Sequence, residues 1–215
     1  MNQKQQSLET LQDIKRMMER SSRFISLSGL SGISAGICAL VGAWLAHDYV
    51  LGDKDFTSYT RNRDGGVDPV TLILDNKLFW IAACTFLAAV ATAFIFTWIK
   101  SKKAGIPLWG KSAKRLLINI SIPLAAGGIF LFRLIHFGTF GLIAPGCLIF
   151  YGLALINASK YTLDDVRYLG YLQVLLGVIN LWFVGYGLYF WAMGFGILHI
   201  LYGTLMWWKY DKVKE

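Results

Sequence analysis

FWIAACTFLAAVATAFIFTWI, residues 79–99, runs for 21 residues without a charged side chain and is followed at once by Lys100-Ser-Lys-Lys103. At about 1.5 Å of rise per residue, such a helix reaches across a hydrocarbon core about 30 Å thick. A tryptophan stands near each end (Trp80 and Trp98), the position amphipathic rings take at the two membrane interfaces. This stretch predicts a transmembrane helix.

Five further windows repeat the pattern: Phe24 to Ala46, Leu116 to Ile135, Phe137 to Asn157, Asp165 to Gly185 and Leu188 to Trp208. The third and fourth spans follow each other almost without a gap and predict a tight antiparallel hairpin. The whole composition agrees, with 55% hydrophobic residues, 16% charged, and a mean hydropathy of +0.49 over 215 residues. Soluble domains carry about a quarter charged residues. Disorder, collagen-like sequence and a disulfide scaffold are excluded on the same figures. The windows are too long for barrel strands, so an all-α, polytopic bundle of six transmembrane helices is expected.

The +8 net charge sets the orientation. Residues 1–23 carry Lys4, Lys15, Arg16, Arg20 and Arg23. The basic loop 100–115 carries Lys100, Lys102, Lys103, Lys111, Lys114 and Arg115. Lys160, Arg167 and the tail 209–215 with Lys209, Lys212 and Lys214 complete the set. In a six-span chain these segments share one side, and the positive-inside rule places both termini in the cytoplasm. The opposite loop, 48–78, holds six Asp against four Lys or Arg. No nucleic-acid reader motif accompanies the basic residues, so no nucleic acid is expected as a partner.

Outside the spans, Leu8, Leu11, Ile14, Met17 and Met18 recur at helical steps, with Glu9, Asp13, Arg16 and Glu19 opposite. That pattern predicts an amphipathic helix lying at the cytoplasmic interface, with a docked protein partner as the sharper alternative. In the outer loop, Thr60 to Thr71 has the alternating oxygen donors and glycine of a calcium loop. It lacks the bidentate twelfth-position Glu, and a solvated turn is the default.

Chemistry-bearing residues within the spans are few. Asn180 and His199 lie at similar depth on adjacent antiparallel spans and are expected within hydrogen-bonding reach. Gln173 shares the face of Asn180, and Tyr202 sits one turn past His199. On the third span Asn119 and Arg133 share a face, with Pro123 and Gly127-Gly128 loosening the helix between them; Pro145-Gly146 interrupts the fourth near its centre. Together Asn119, Arg133, Gln173, Asn180, His199 and Tyr202 form a candidate polar path. The same residue types serve helix packing, as do Ser28, Gly32 and Gly36 and the glycine pairs Gly170 and Gly177, Gly196 and Gly203.

Near the outer surface, His47, Asp48 and His136 are the candidate metal ligands. Cys38, Cys84 and Cys147 all lie inside spans and read as packing residues. No hydrolase, zincin, nucleotide-binding or dinucleotide signature is present, so no catalytic residue and no cofactor is expected.

The run Met17-Met-Glu-Arg-Ser-Ser-Arg-Phe-Ile-Ser-Leu-Ser-Gly-Leu-Ser-Gly-Ile-Ser-Ala-Gly36, with Gly194-Phe-Gly-Ile-Leu-His199-Ile-Leu-Tyr-Gly203, resembles small multi-span inner-membrane proteins of bacteria to which no activity is assigned. The resemblance implies a multi-pass protein of a bacterial inner membrane and supplies no mechanism. The residues favour a non-enzymatic structural, regulatory or partner-binding protein. A small-solute or ion carrier comes next, then a metal-dependent or lipid-modifying enzyme at the outer face.

Overall fold

The computed structural model describes residues 28–52, 77–105 and 109–211. The amphipathic segment 1–23, the calcium-like stretch and most of the loop 48–78 lie outside the described residues. Those residues fold into helices with no strand among them: α1 (Gly29–Gly52), α2 (Lys77–Ala104), α3 (Lys111–His136), α4 (Ile143–Ala158), α5 (Val166–Trp182) and α6, which spans 187–211. The last begins α-helical over Gly187–Trp191 and winds as a π-helix over Ala192–Leu198. It returns to α over His199–Met206 and ends in a second π turn, Trp207–Asp211.

Five helical stretches are long and apolar enough to cross a membrane: Gly29–Tyr49, Lys77–Lys103, Ser112–His136, Phe140–Ala158 and Val184–Tyr210. The burial pattern has the same origin. Ile129, Trp182 and Phe86 are among the most exposed side chains, while Gln173, Asn180 and His199 are buried. A water-soluble protein distributes them the other way. In lipid, apolar surface gains nothing by leaving its surroundings, so small and polar residues make the helix contacts.

α4 and α5 are antiparallel neighbours: a methyl placed on Gly152 would meet Gly170 O at 2.7 Å, and one on Gly177 would meet Ile149. α1 runs antiparallel to α6, with Gly36 against Gly196 and Ile200, and Gly32 against Gly203. α2 lies on the far side of α1, where Gly42 meets Thr85 and Cys38 Sγ is 3.9 Å from Thr92 Oγ1. α3 lies on α4 through Gly127 and Phe150. The helices α4, α5 and α6 therefore meet as a central trio, with α1 and then α2 continuing from α6 and α3 lying on α4.

The expected hairpin between the third and fourth spans is a Schellman turn. Gly138 takes φ 70°, its N–H donates to Ile135 O, and the Thr139 N–H donates to Leu134 O. A 3-10 turn, Phe140–Leu142, follows, so α4 starts only at Ile143. This corrects the reading of Pro145-Gly146. The proline falls in the first turn of α4, where its missing N–H had no helical partner to lose, and the helix is not interrupted at its centre.

Candidate functional site

Pro123 lies inside α3 and the helix continues through it. A proline leaves the carbonyl four residues earlier without its N–H, here that of Asn119. Asn157 of α4 fills the gap: its Nδ2 donates to Asn119 O at 2.8 Å and lies 3.3 Å from Asn119 Oδ1, while Asn119 Nδ2 donates to Arg115 O. Asn119 is thus engaged where α3 meets α4. Arg133 is exposed at the other end of α3, its guanidinium 4.7 Å from the Phe137 ring centroid.

The centre of the assembly gathers a different set. His199 on α6 is 7% exposed, and Gln173 on α5 is fully buried. Tyr151 on α4 approaches His199 Nε2 with its hydroxyl at 2.8 Å, and His199 Nδ1 lies 3.0 Å from Gly194 O. Gln173 Nε2 also donates to Gly194 O, at 2.8 Å. A carbonyl only accepts, so Nδ1 carries the ring proton and Nε2 accepts from Tyr151. The 3.5 Å approach of Gln173 Nε2 to His199 Nδ1 is then two donors sharing one carbonyl.

The local sequence builds this arrangement in two ways. Gly194 lies within the π-wound stretch of α6, the type of bulge that often marks functional positions, and His199 follows directly after it. Gly194 also has no side chain to obstruct its neighbours. A methyl there would come 2.6 Å from Gln173 Oε1 and would overlap Leu148 Cδ2. Gln173 Oε1 itself is buried without a hydrogen-bond partner. Aromatic rings close one flank, with Phe195 stacked 6.0 Å from His199 and 5.0 Å from Tyr151.

Asn180 is not part of this cluster, contrary to expectation. α5 ends at Trp182, short of Gly185, so Asn180 is two residues from the helix end. His199 lies about 18 Å along α6 from Gly187, while Gln173 lies about 14 Å from the end of α5. Depth therefore matches His199 with Gln173. Asn180 Nδ2 instead caps the turn by donating to Phe183 O at 3.0 Å, and its Oδ1 is buried without a partner. Tyr202 follows His199 by one turn, with its hydroxyl buried and unpartnered.

The candidate metal residues have other neighbours. His47 Nε2 lies 3.3 Å from the Tyr189 hydroxyl, Asp48 is exposed, and His136 is exposed with its ring against Phe137. Among the described residues no three His, Cys, Asp or Glu side chains assemble. Sequence reasoning passed over Tyr151 and Asn157. The signal for Tyr151 was its position inside a span, away from either interfacial belt; the signal for Asn157 was a proline on the preceding span.

Where α5 starts, Asp165 receives Lys209 Nζ and the Tyr210 hydroxyl, each at 2.8 Å. Burial pushes its carboxyl upward, but these hydrogen bonds and the lysine charge outweigh burial and hold it below its usual value. The pair fastens the end of α6 to the beginning of α5.

No family model, curated protein or solved structure matches the chain.

Proposed function

We propose that the chain is a six-span protein of a bacterial inner membrane with cytoplasmic termini, and that it works without catalysis, as a helical scaffold that holds or regulates a partner. The sixth span is α5. Its 17 residues give about 26 Å, slightly short of the bilayer core. It lies antiparallel to α4 and α6 and turns Leu172, Leu175 and Ile179 outward, which supports a place at their depth. With α5 counted, every strongly basic segment falls on one side. The amphipathic segment 1–23 and the basic loop 100–115 then form the cytoplasmic contact surface.

One observation carries the non-catalytic reading. The polar side chains of the central spans are withdrawn into the helix contacts: Gln173 and Asn180 are fully buried, Tyr151 and Gln173 join α4 and α5 to α6, and both ring nitrogens of His199 are engaged. A substrate path needs groups that a solute can reach. The π-wound stretch and the unpartnered Gln173 Oε1 favour a second reading, a small-solute or ion carrier.

Two measurements test this. Reporter fusions in the connections after α4 and after α5 should fall on opposite sides of the membrane; the same side would remove α5 as a span. In proteoliposomes exposed to a broad solute panel, the parent should show no specific flux. Flux abolished by Gln173→Leu or His199→Ala in protein that still folds would establish the carrier.

A further inference from the structure

Between the start of α5 and the end of α6 lies a cavity of about 510 Å³. Its walls are mostly apolar, with Tyr202, Leu205 and Met206, yet they also carry one anion and one cation, Asp165 and Lys209. The cavity sits at the end of a span, where headgroups lie. We infer that it holds the headgroup of a phospholipid bearing a primary ammonium, with the acyl chains running along α6.

The charge pattern fits such a group at both poles. Lys209 and Tyr210 both bond Asp165 through Oδ2. Asp165 Oδ1 accepts no hydrogen bond from the described residues and suits an ammonium. Lys209 uses one of three N–H donors on Asp165 and has others for a phosphate. Leading away from the cavity, Leu201, Leu205 and Trp208 recur at helical steps on the outside of α6, each more than half exposed. That apolar stripe is the surface an acyl chain lies on. A choline headgroup has no N–H to offer Asp165, and a glycerol headgroup has no cation, so the site discriminates among lipids by their headgroups.

Native mass spectrometry of the full chain in detergent tests this, with phosphatidylethanolamine, phosphatidylcholine and phosphatidylglycerol of identical acyl chains added in parallel. Phosphatidylethanolamine should be retained about tenfold over each of the others, a difference of about 1.4 kcal/mol. Asp165→Asn should bring its retention down to that of phosphatidylcholine. Because that change also weakens the bonds from Lys209 and Tyr210, Leu205→Trp serves as a second variant that fills the cavity and leaves those bonds in place. It should abolish the preference with helicity unchanged by circular dichroism. Equal retention of the three lipids by the parent, or a preference that survives Leu205→Trp, overturns the inference. Binding of free phosphoethanolamine as tight as that of the lipid would also overturn it, since the chains would then contribute nothing.

Discussion

Gly194 is the residue on which the central cluster turns. Its carbonyl collects the donors of Gln173 and His199, and its missing side chain admits Gln173 and Leu148. Gly194→Ala should therefore destabilise the folded protein by about 1–3 kcal/mol, the usual cost of an added methyl in a filled core. Gly128 on α3 is the control, because a methyl there meets nothing within 4 Å. Gly128→Ala should be neutral or stabilising by up to about 1 kcal/mol, as helix propensity alone dictates. Reversible unfolding in mixed micelles measures both. Equal effects at the two sites would contradict the packing described for Gly194. The cluster was half legible: a histidine and an amide inside spans mark themselves as costly and in need of partners. Which amide met the histidine was not legible, because the depth of Asn180 depended on where α5 stopped.

At the scale of elements, the helices carry an inverted amphipathicity. Along α5 the buried positions are Val166, Leu169, Gly170, Gln173, Gly177 and Asn180, one stripe at steps of three and four. The opposite face, with Tyr171, Leu175 and Trp182, lies outward. α3 and α4 meet through a repaired backbone defect. If Asn157 is retained to satisfy the carbonyl that Pro123 frees, the two residues must be coupled. Asn157→Leu should cost about 0.6–1.7 kcal/mol in the parent, the range measured for hydrogen bonds between membrane helices. In a Pro123→Ala background, where residue 123 again supplies an N–H, the same change should cost measurably less. A double-mutant cycle decides the matter. Strict additivity would mean that the asparagine does not serve the proline.

For the molecule as a whole, the pair formed by Asp165 with Lys209 and Tyr210 closes the α5 and α6 ends on one another. The Asp165 carboxyl is depressed in the folded state below its ordinary value of about 3.9. Its contribution to stability is therefore present above that pH and is lost as pH falls through the folded value. Thermal stability should drop more steeply below about pH 4 in the parent than in Asp165→Asn. The variant should be less stable at pH 7, with the gap closing in acid. An equal acid response would show that the pair does not report on the folded state.

The sequence by itself determined the solvent and the elements. Runs of about 20 apolar residues with basic flanks leave the backbone no partner but its own helix in a medium without water. The expected hairpin between the third and fourth spans was legible in the near absence of a gap between them, and the close contacts of Gly32, Gly36, Gly196 and Gly203 in the spacing of small residues; that Gly138 makes the turn came from the structure. The tertiary structure alone decided the partners. Tyr151 with His199, Asn157 with the Asn119 carbonyl, and His47 with Tyr189 join residues 48, 38 and 142 positions apart. Such pairings follow from helix ends that shift by a few residues, and a shift of two or three changes both the depth and the face that a polar side chain presents. Periodicity in one segment carries no information about that register.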